Sequence, residues 1–214
     1  GQVMHSYEII LNGVSRSFPE GDDFLAGGSD AGDIVIYLGD TPKDRPDDTA
    51  RTVLLELDLD CLGVHTGEAS GTEGSGVLGF ARYRNGNDAP GMLIELVRQP
   101  HSSEPAIKAA RQMFEAAGFD VVVSLDRPGR IIDRLVRPQY NAAMRFLDDG
   151  LASAEAMDMT CRMGLGYPDG LIERTERGDL ERHYDISKAL HDMTGLAEYA
   201  PSRMSCVAKQ RKAK

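Results

Sequence analysis

The chain has 214 residues, 41% of them hydrophobic, and carries 34 acidic against 24 basic side chains, a formal net charge of −10 at pH 7. That balance argues against nucleic acid as a general partner, because phosphate backbones recruit basic faces. No apolar run approaches the roughly 18 residues of a membrane-spanning helix and no signal peptide is legible, so a soluble, cytoplasmic protein of one or two domains is expected. Cys61, Cys161 and Cys206 lie far apart with no C-x-x-C spacing, which suits a reducing compartment. Gly1-Gln2-Val3 ahead of Met4 reads as an expression remnant, with Met4 as the native start.

In chain order, residues 6–12 and 33–38 read as strands, with Gly27-Gly28 between them and an acidic, proline-bearing loop at 40–48 after them. Residues 53–57 and 77–83 read as further strands joined by a glycine-rich loop at 63–76, which holds His65, Glu68 and Ser70. Gly74-Ser75-Gly76-Val77-Leu78-Gly79 matches G-x-G-x-x-G formally. A strand follows it rather than a helix, so it reads as loop and no cofactor-binding residue is assigned.

The run 91–97 is an apolar strand with one carboxylate, Glu95, in its middle, and a buried charge there requires a partner. Ser103 offers an N-cap, Glu104 and Pro105 fill a first turn, and Ala106, Ala110, Met113, Phe114 and Ala117 share one helical face. Gly118 stops that helix, and the β-branched run 119–125 makes the piece a β-α-β unit with a parallel crossover.

Asp126-Arg127-Pro128-Gly129 breaks the pattern, and the chain then reads as helical near 130–149, 153–163, 168–176, 179–194 and 201–211. Pro138 predicts a kink in the first of these. Arg127, Arg130, Arg134 and Arg137 crowd its start and read as solvated or paired, Asp133 with Arg137 at i, i+4 for example. His183 and His191 sit two turns apart, too far to share a metal, so the histidines read as surface or partly packed and no metal site is expected. The terminal 209–214 stretch reads as a frayed basic tail.

Here the residues resemble a family. Asp126-Arg127-Pro128-Gly129-Arg130-Ile131-Ile132-Asp133-Arg134-Leu135 is similar to the D-x-P-G-F-hydrophobic-hydrophobic-N-R-L signature that opens the C-terminal domain of 3-hydroxyacyl-CoA dehydrogenases. Asn141-Ala142, Gly150-Leu151-Ala152-Ser153, Asp158, Gly164-Leu165-Gly166-Tyr167-Pro168-Asp169-Gly170 and Tyr199-Ala200-Pro201 resemble its later motifs in order and spacing. Upstream, Leu93-Ile94-Glu95-Leu96-Val97 resembles its L-V-E-V strand and Gly79-Phe80-Ala81 its G-x-H, so the likeness covers roughly residues 77–205.

The resemblance implies an α/β fold: a reduced Rossmann-like domain at 1–126, then an all-helical dimerisation domain at 127–214, as in the second half of the longer duplicated members. It also implies NAD as cofactor, an acyl-CoA as ligand, and a homodimer through the helical domain. The family's catalytic His takes the hydroxyl proton as hydride leaves, and a Glu orients that His. Glu95 stands at the orienting glutamate, Ala81 at the histidine and Asp133 at the substrate-contacting asparagine. Where the family has Asn-Thr-Ser, this chain has Asp58-Leu59-Asp60-Cys61. The expectation is a catalytically incomplete relative with no cofactor. The alternative is an active NAD-dependent enzyme of fatty-acid or aromatic-acid breakdown, using Glu95, Asp133 and His65 as a replacement base.

Overall fold

The computed structural model describes residues 4–42, 46–67 and 70–214. The expected remnant at 1–3, the middle of the acidic loop at 43–45, and Glu68 lie outside them. Two compact units emerge, Gly1–Arg84 with Pro90–Arg130, and Asn85–Ala89 with Ile131–Lys214.

The first unit is a six-stranded sheet in strictly sequential order: β1 (Tyr7–Asn12), β2 (Ile34–Gly39), β3 (Thr52–Glu56), β4 (Val77–Arg82), β5 (Leu93–Arg98) and β6 (Asp120–Leu125). β1 to β4 run parallel, β5 turns back antiparallel to β4, and β6 lies parallel to β5. Continuous apolar runs such as Ile34-Val35-Ile36 bury side chains on both faces, as interior parallel strands require.

On one face, even-numbered residues of β2 to β5, with Tyr7 and Ile9 of β1 and Val121 of β6, meet α1 (Asp23–Ala26) and α3 (Glu104–Ala116) around an aromatic cluster of Phe18, Phe24, Phe80, Phe114 and Phe119. α3 forms where its caps and stripe direct. Ser103 accepts the Ala106 N–H, Pro105 sits in the first turn, and Ala106, Ile107, Ala110, Met113 and Phe114 are buried. The opposite face packs Val35, Val53, Leu55, Leu57, Val77 and Val97 with Leu62, beside α2 (Gly63–Thr66). That short helix corrects the expectation of loop throughout 63–76: four residues closed by left-handed Gly67 are too few to show a helical period. Gly74-Ser75-Gly76 leads directly into β4, so no helix follows the formal glycine match.

The second unit is helical: α4 (Ile131–Asp148), α5 (Ala154–Leu165), α6 (Leu171–Arg177), α7 (Leu180–Thr194), a 3-10 turn (Ala197–Tyr199) and α8 (Arg203–Lys212). α4 continues as one helix through Pro138. Ser153 and Ser202 N-cap α5 and α8, and left-handed Gly166 and Gly195 close α5 and α7. Ala143, Met144 and Ile172 centre the core of this unit. No helix among the described residues is long and apolar enough to cross a membrane.

Candidate functional site

A doubly wound sheet binds dinucleotides at the carboxyl ends of its strands, where strand order reverses, through a glycine-rich turn and a helix N-terminus. Strand order does not reverse anywhere in this sheet. At the carboxyl ends of β1, β2 and β3 the chain supplies its own anion. Glu56 accepts the Gly39 N–H (2.8 Å), the Ser15 hydroxyl (2.7 Å) and the Ser17 N–H (3.1 Å).

Next to this carboxylate, Arg82 at the end of β4 is buried and paired with Asp22 (2.8 Å). It donates to the Ser17 carbonyl (3.2 Å), and its guanidinium carbon lies 5.3 and 4.8 Å from the ring centres of Phe18 and Phe119. Asp22 also caps α1 by accepting the Phe24 N–H (3.0 Å), and Asp23 follows. The backbone N–H groups of Gly39 and Ser17 are taken by one carboxylate, and two more acids stand at the start of α1, between β1 and β2. These residues do not fit a dinucleotide.

Glu95 on β5 lies directly across the antiparallel ladder from Ala81 on β4. Its carboxylate is buried and accepts the Ser124 hydroxyl (3.0 Å). The partner facing Glu95 on the neighbouring strand is therefore a methyl group, which holds and moves no proton.

His65 sits on α2, and its Nε2 is bonded to Asp60, which is about one-third exposed. Burial pushes the Asp60 carboxyl up, but bonds from His65 and from the Asp58 N–H outweigh it and hold the group below its usual range. Asp126 caps the same short helix, accepting the N–H groups of Leu62 (2.7 Å) and Gly63 (2.9 Å).

Asp133, on the first turn of α4, is buried and ion-paired with Arg137 one turn on (2.9 Å to Nη2, 3.0 Å to Nε), the pairing that the spacing predicted. Arg137 Nη1 donates to His183 Nδ1 (3.2 Å). His183 Nε2–H therefore donates to the Asn141 amide oxygen (2.8 Å), while the Asn141 amide nitrogen reaches Ser187 and the Glu198 carbonyl, each at 3.3 Å. Burial, reinforced by the Arg137 charge, pushes the His183 pKa down to about 3.

His183 is only 1% exposed, which corrects the reading of the histidines as surface or partly packed. The signal was present in the sequence. His183, Ile186, Ser187 and Leu190 form one stripe of α7, all buried. Among the three sequence-derived site residues, Glu95 is held by Ser124, His65 by Asp60, and Asp133 by Arg137.

Residues 129–212 match the model of the 3-hydroxyacyl-CoA dehydrogenase C-terminal domain. That stretch of the chain is similar to the C-terminal domain of the 3-hydroxyacyl-CoA dehydrogenase family. Hydroxyacyl-coenzyme A dehydrogenase, mitochondrial, of Homo sapiens is 30% identical over 136 residues, 62% of this chain and 43% of that protein. A 3-hydroxybutyryl-CoA dehydrogenase of Bradyrhizobium diazoefficiens is 29% identical over 109 residues, 51% of this chain and 37% of that protein. The chain thus spans about two fifths of these curated relatives. The solved (S)-3-hydroxybutyryl-CoA dehydrogenase of Ralstonia eutropha shares the fold, with a TM-score of 0.69 at 19% identity over 89% of this chain and 73% of that chain.

Two motifs that carry the family resemblance act here as helix caps. Asp158 accepts the N–H groups of Ile172 (2.9 Å) and Glu173 (3.2 Å) at the start of α6, as Asp126 does for α2. A Cβ on Gly170 would stand 2.1 Å from the Asp158 carboxylate, so only glycine fits at that helix start. Gly170→Ala is expected to destabilise the protein by about 1–3 kcal/mol, read as a lower midpoint in urea unfolding.

Proposed function

We propose that this protein is a catalytically incomplete 3-hydroxyacyl-CoA dehydrogenase relative that does not use NAD and acts through its helical unit as a homodimer, with an acyl-CoA as ligand. The observation that carries the reading is the ladder pair Ala81 and Glu95. The orienting carboxylate is kept and the base it would orient is a methyl. Losing a general base alone removes roughly 10²- to 10⁴-fold of rate.

The Glu56 cluster supports the same conclusion from the cofactor side, since its donors are consumed within the chain. Pairing through the helical unit is supported by the exposure of Leu135, Phe146, Leu151, Met159, Met163 and Leu165 within it. The three unbridged cysteines fit residence in the cytoplasm. One arrangement favours the alternative of an active NAD-dependent enzyme: the His65–Asp60 pair has the form of a base with its orienting acid.

Steady-state reduction of acetoacetyl-CoA by NADH separates the two. The wild type is expected to give no turnover, and Ala81→His none either, because the base is not the only part missing. Turnover by the wild type that His65→Ala abolishes would establish the alternative.

A further inference from the structure

Arg130 closes the first unit and is 4% exposed. Its Nη2 donates to the backbone carbonyls of Asp60 (3.1 Å) and Arg127 (3.0 Å). Nε and Nη1 are buried without a hydrogen-bond partner among the described residues, leaving three N–H donors of a permanent cation unused there. Buried charges in folded proteins are usually ion-paired, and this guanidinium spends its hydrogen bonds on carbonyl oxygens alone.

The acids around it are directed elsewhere. Both Asp126 oxygens take the amides of Leu62 and Gly63. The Asp60 oxygens take the Asp58 N–H and the His65 ring. No ion pair reaches Arg130 among the described residues. Cys61 shares these surroundings, but burial and the Asp126 charge push its thiol up against the opposing pull of Arg130 and Arg127, so it stays neutral and is no counter-ion. Arg127, exposed beside this corner, spends Nη1 on the Asp126 carbonyl (2.7 Å) and adds a second positive charge with no ion pair among the described residues.

We propose that Arg130, with Arg127 beside it, binds the oxyanion of a ligand, a carboxylate or phosphate group that takes the unused Arg130 donors. The ligand's anion supplies the charge that the chain withholds, and a guanidinium matches both oxyanions better than an ammonium would. The site is independent of the cofactor question, because none of its residues belongs to the Glu56 or Glu95 clusters.

The test is isothermal titration of the full chain with inorganic phosphate, glycerol phosphate and acetate at fixed ionic strength, with chloride as the control. One equivalent of at least one oxyanion is expected to bind. Preference for phosphate over glycerol phosphate marks a free ion as the source, and the reverse marks a phosphate ester. Arg130→Met is expected to weaken binding about tenfold or more. Arg127→Gln should weaken it less, since that side chain is exposed. Should the methionine variant not fold, Arg130→Lys keeps the charge and loses the fork, and is expected to bind several-fold more weakly. No oxyanion binding by the wild type, or equal affinity in the Arg130 variant, overturns the proposal.

Discussion

Arg137→Met is expected to lower the unfolding free energy by about 3–5 kcal/mol, the cost of stranding a buried partner charge. Arg137 and Asp133 are both buried on α4, and the guanidinium places two nitrogens on one Asp133 oxygen. Its removal leaves the carboxylate dry and unpaired, and it also takes the donor from His183 Nδ1. The double replacement Asp133→Leu with Arg137→Met should recover most of the loss, since a packed apolar pair is often as stable as a buried ion pair. Urea unfolding of the three variants reads this cycle directly. A loss below about 1 kcal/mol for the single variant would place the pair among exposed bridges.

Stability should fall as pH falls from about 6.5, with a slope approaching 1.4 kcal/mol per pH unit, because His183 stays neutral in the fold down to about 3. The direction follows from proton uptake: below 6.5 the unfolded chain binds a proton at this residue and the native state does not. The contribution is thus complete above 6.5 and is lost progressively towards 3. The carboxylates held below their ordinary range, such as Asp60 and Asp88, act in the same sense, but only once the pH drops below about 4. Between pH 7 and 5, His183→Gln should therefore flatten the dependence relative to wild type. Parallel curves for the two proteins would contradict the assignment of a buried neutral imidazole.

The helical half was legible in the sequence because its cues are local. A start at Ser153, the glycine-bearing stop at 164–168 and apolar stripes placed the helices to within a few residues. Apolar and β-branched runs of strand length marked the six strands, and the crossover from β5 to β6 followed from the helix between them. The sequential strand order and the antiparallel turn at β5 were not legible, since pairing partners far apart in sequence leave no periodic trace.

The site divides in the same way. Asp133 with Arg137 was readable at i, i+4 spacing, whereas His183 joined them from 46 residues away. Glu95 was readable as a charge in an apolar strand requiring a partner, but Ser124, which supplies it, came from the neighbouring strand. Glu56 went unnoticed because its role depends on three loop ends that only the sheet brings together.

The central proposal is that this chain binds no dinucleotide, and isothermal titration with NADH tests it most directly. The Glu56 and Arg82 arrangement predicts no heat of binding at any NADH concentration up to the millimolar range. Saturable binding at micromolar NADH would contradict it, and would mean that those carboxylates yield to a pyrophosphate.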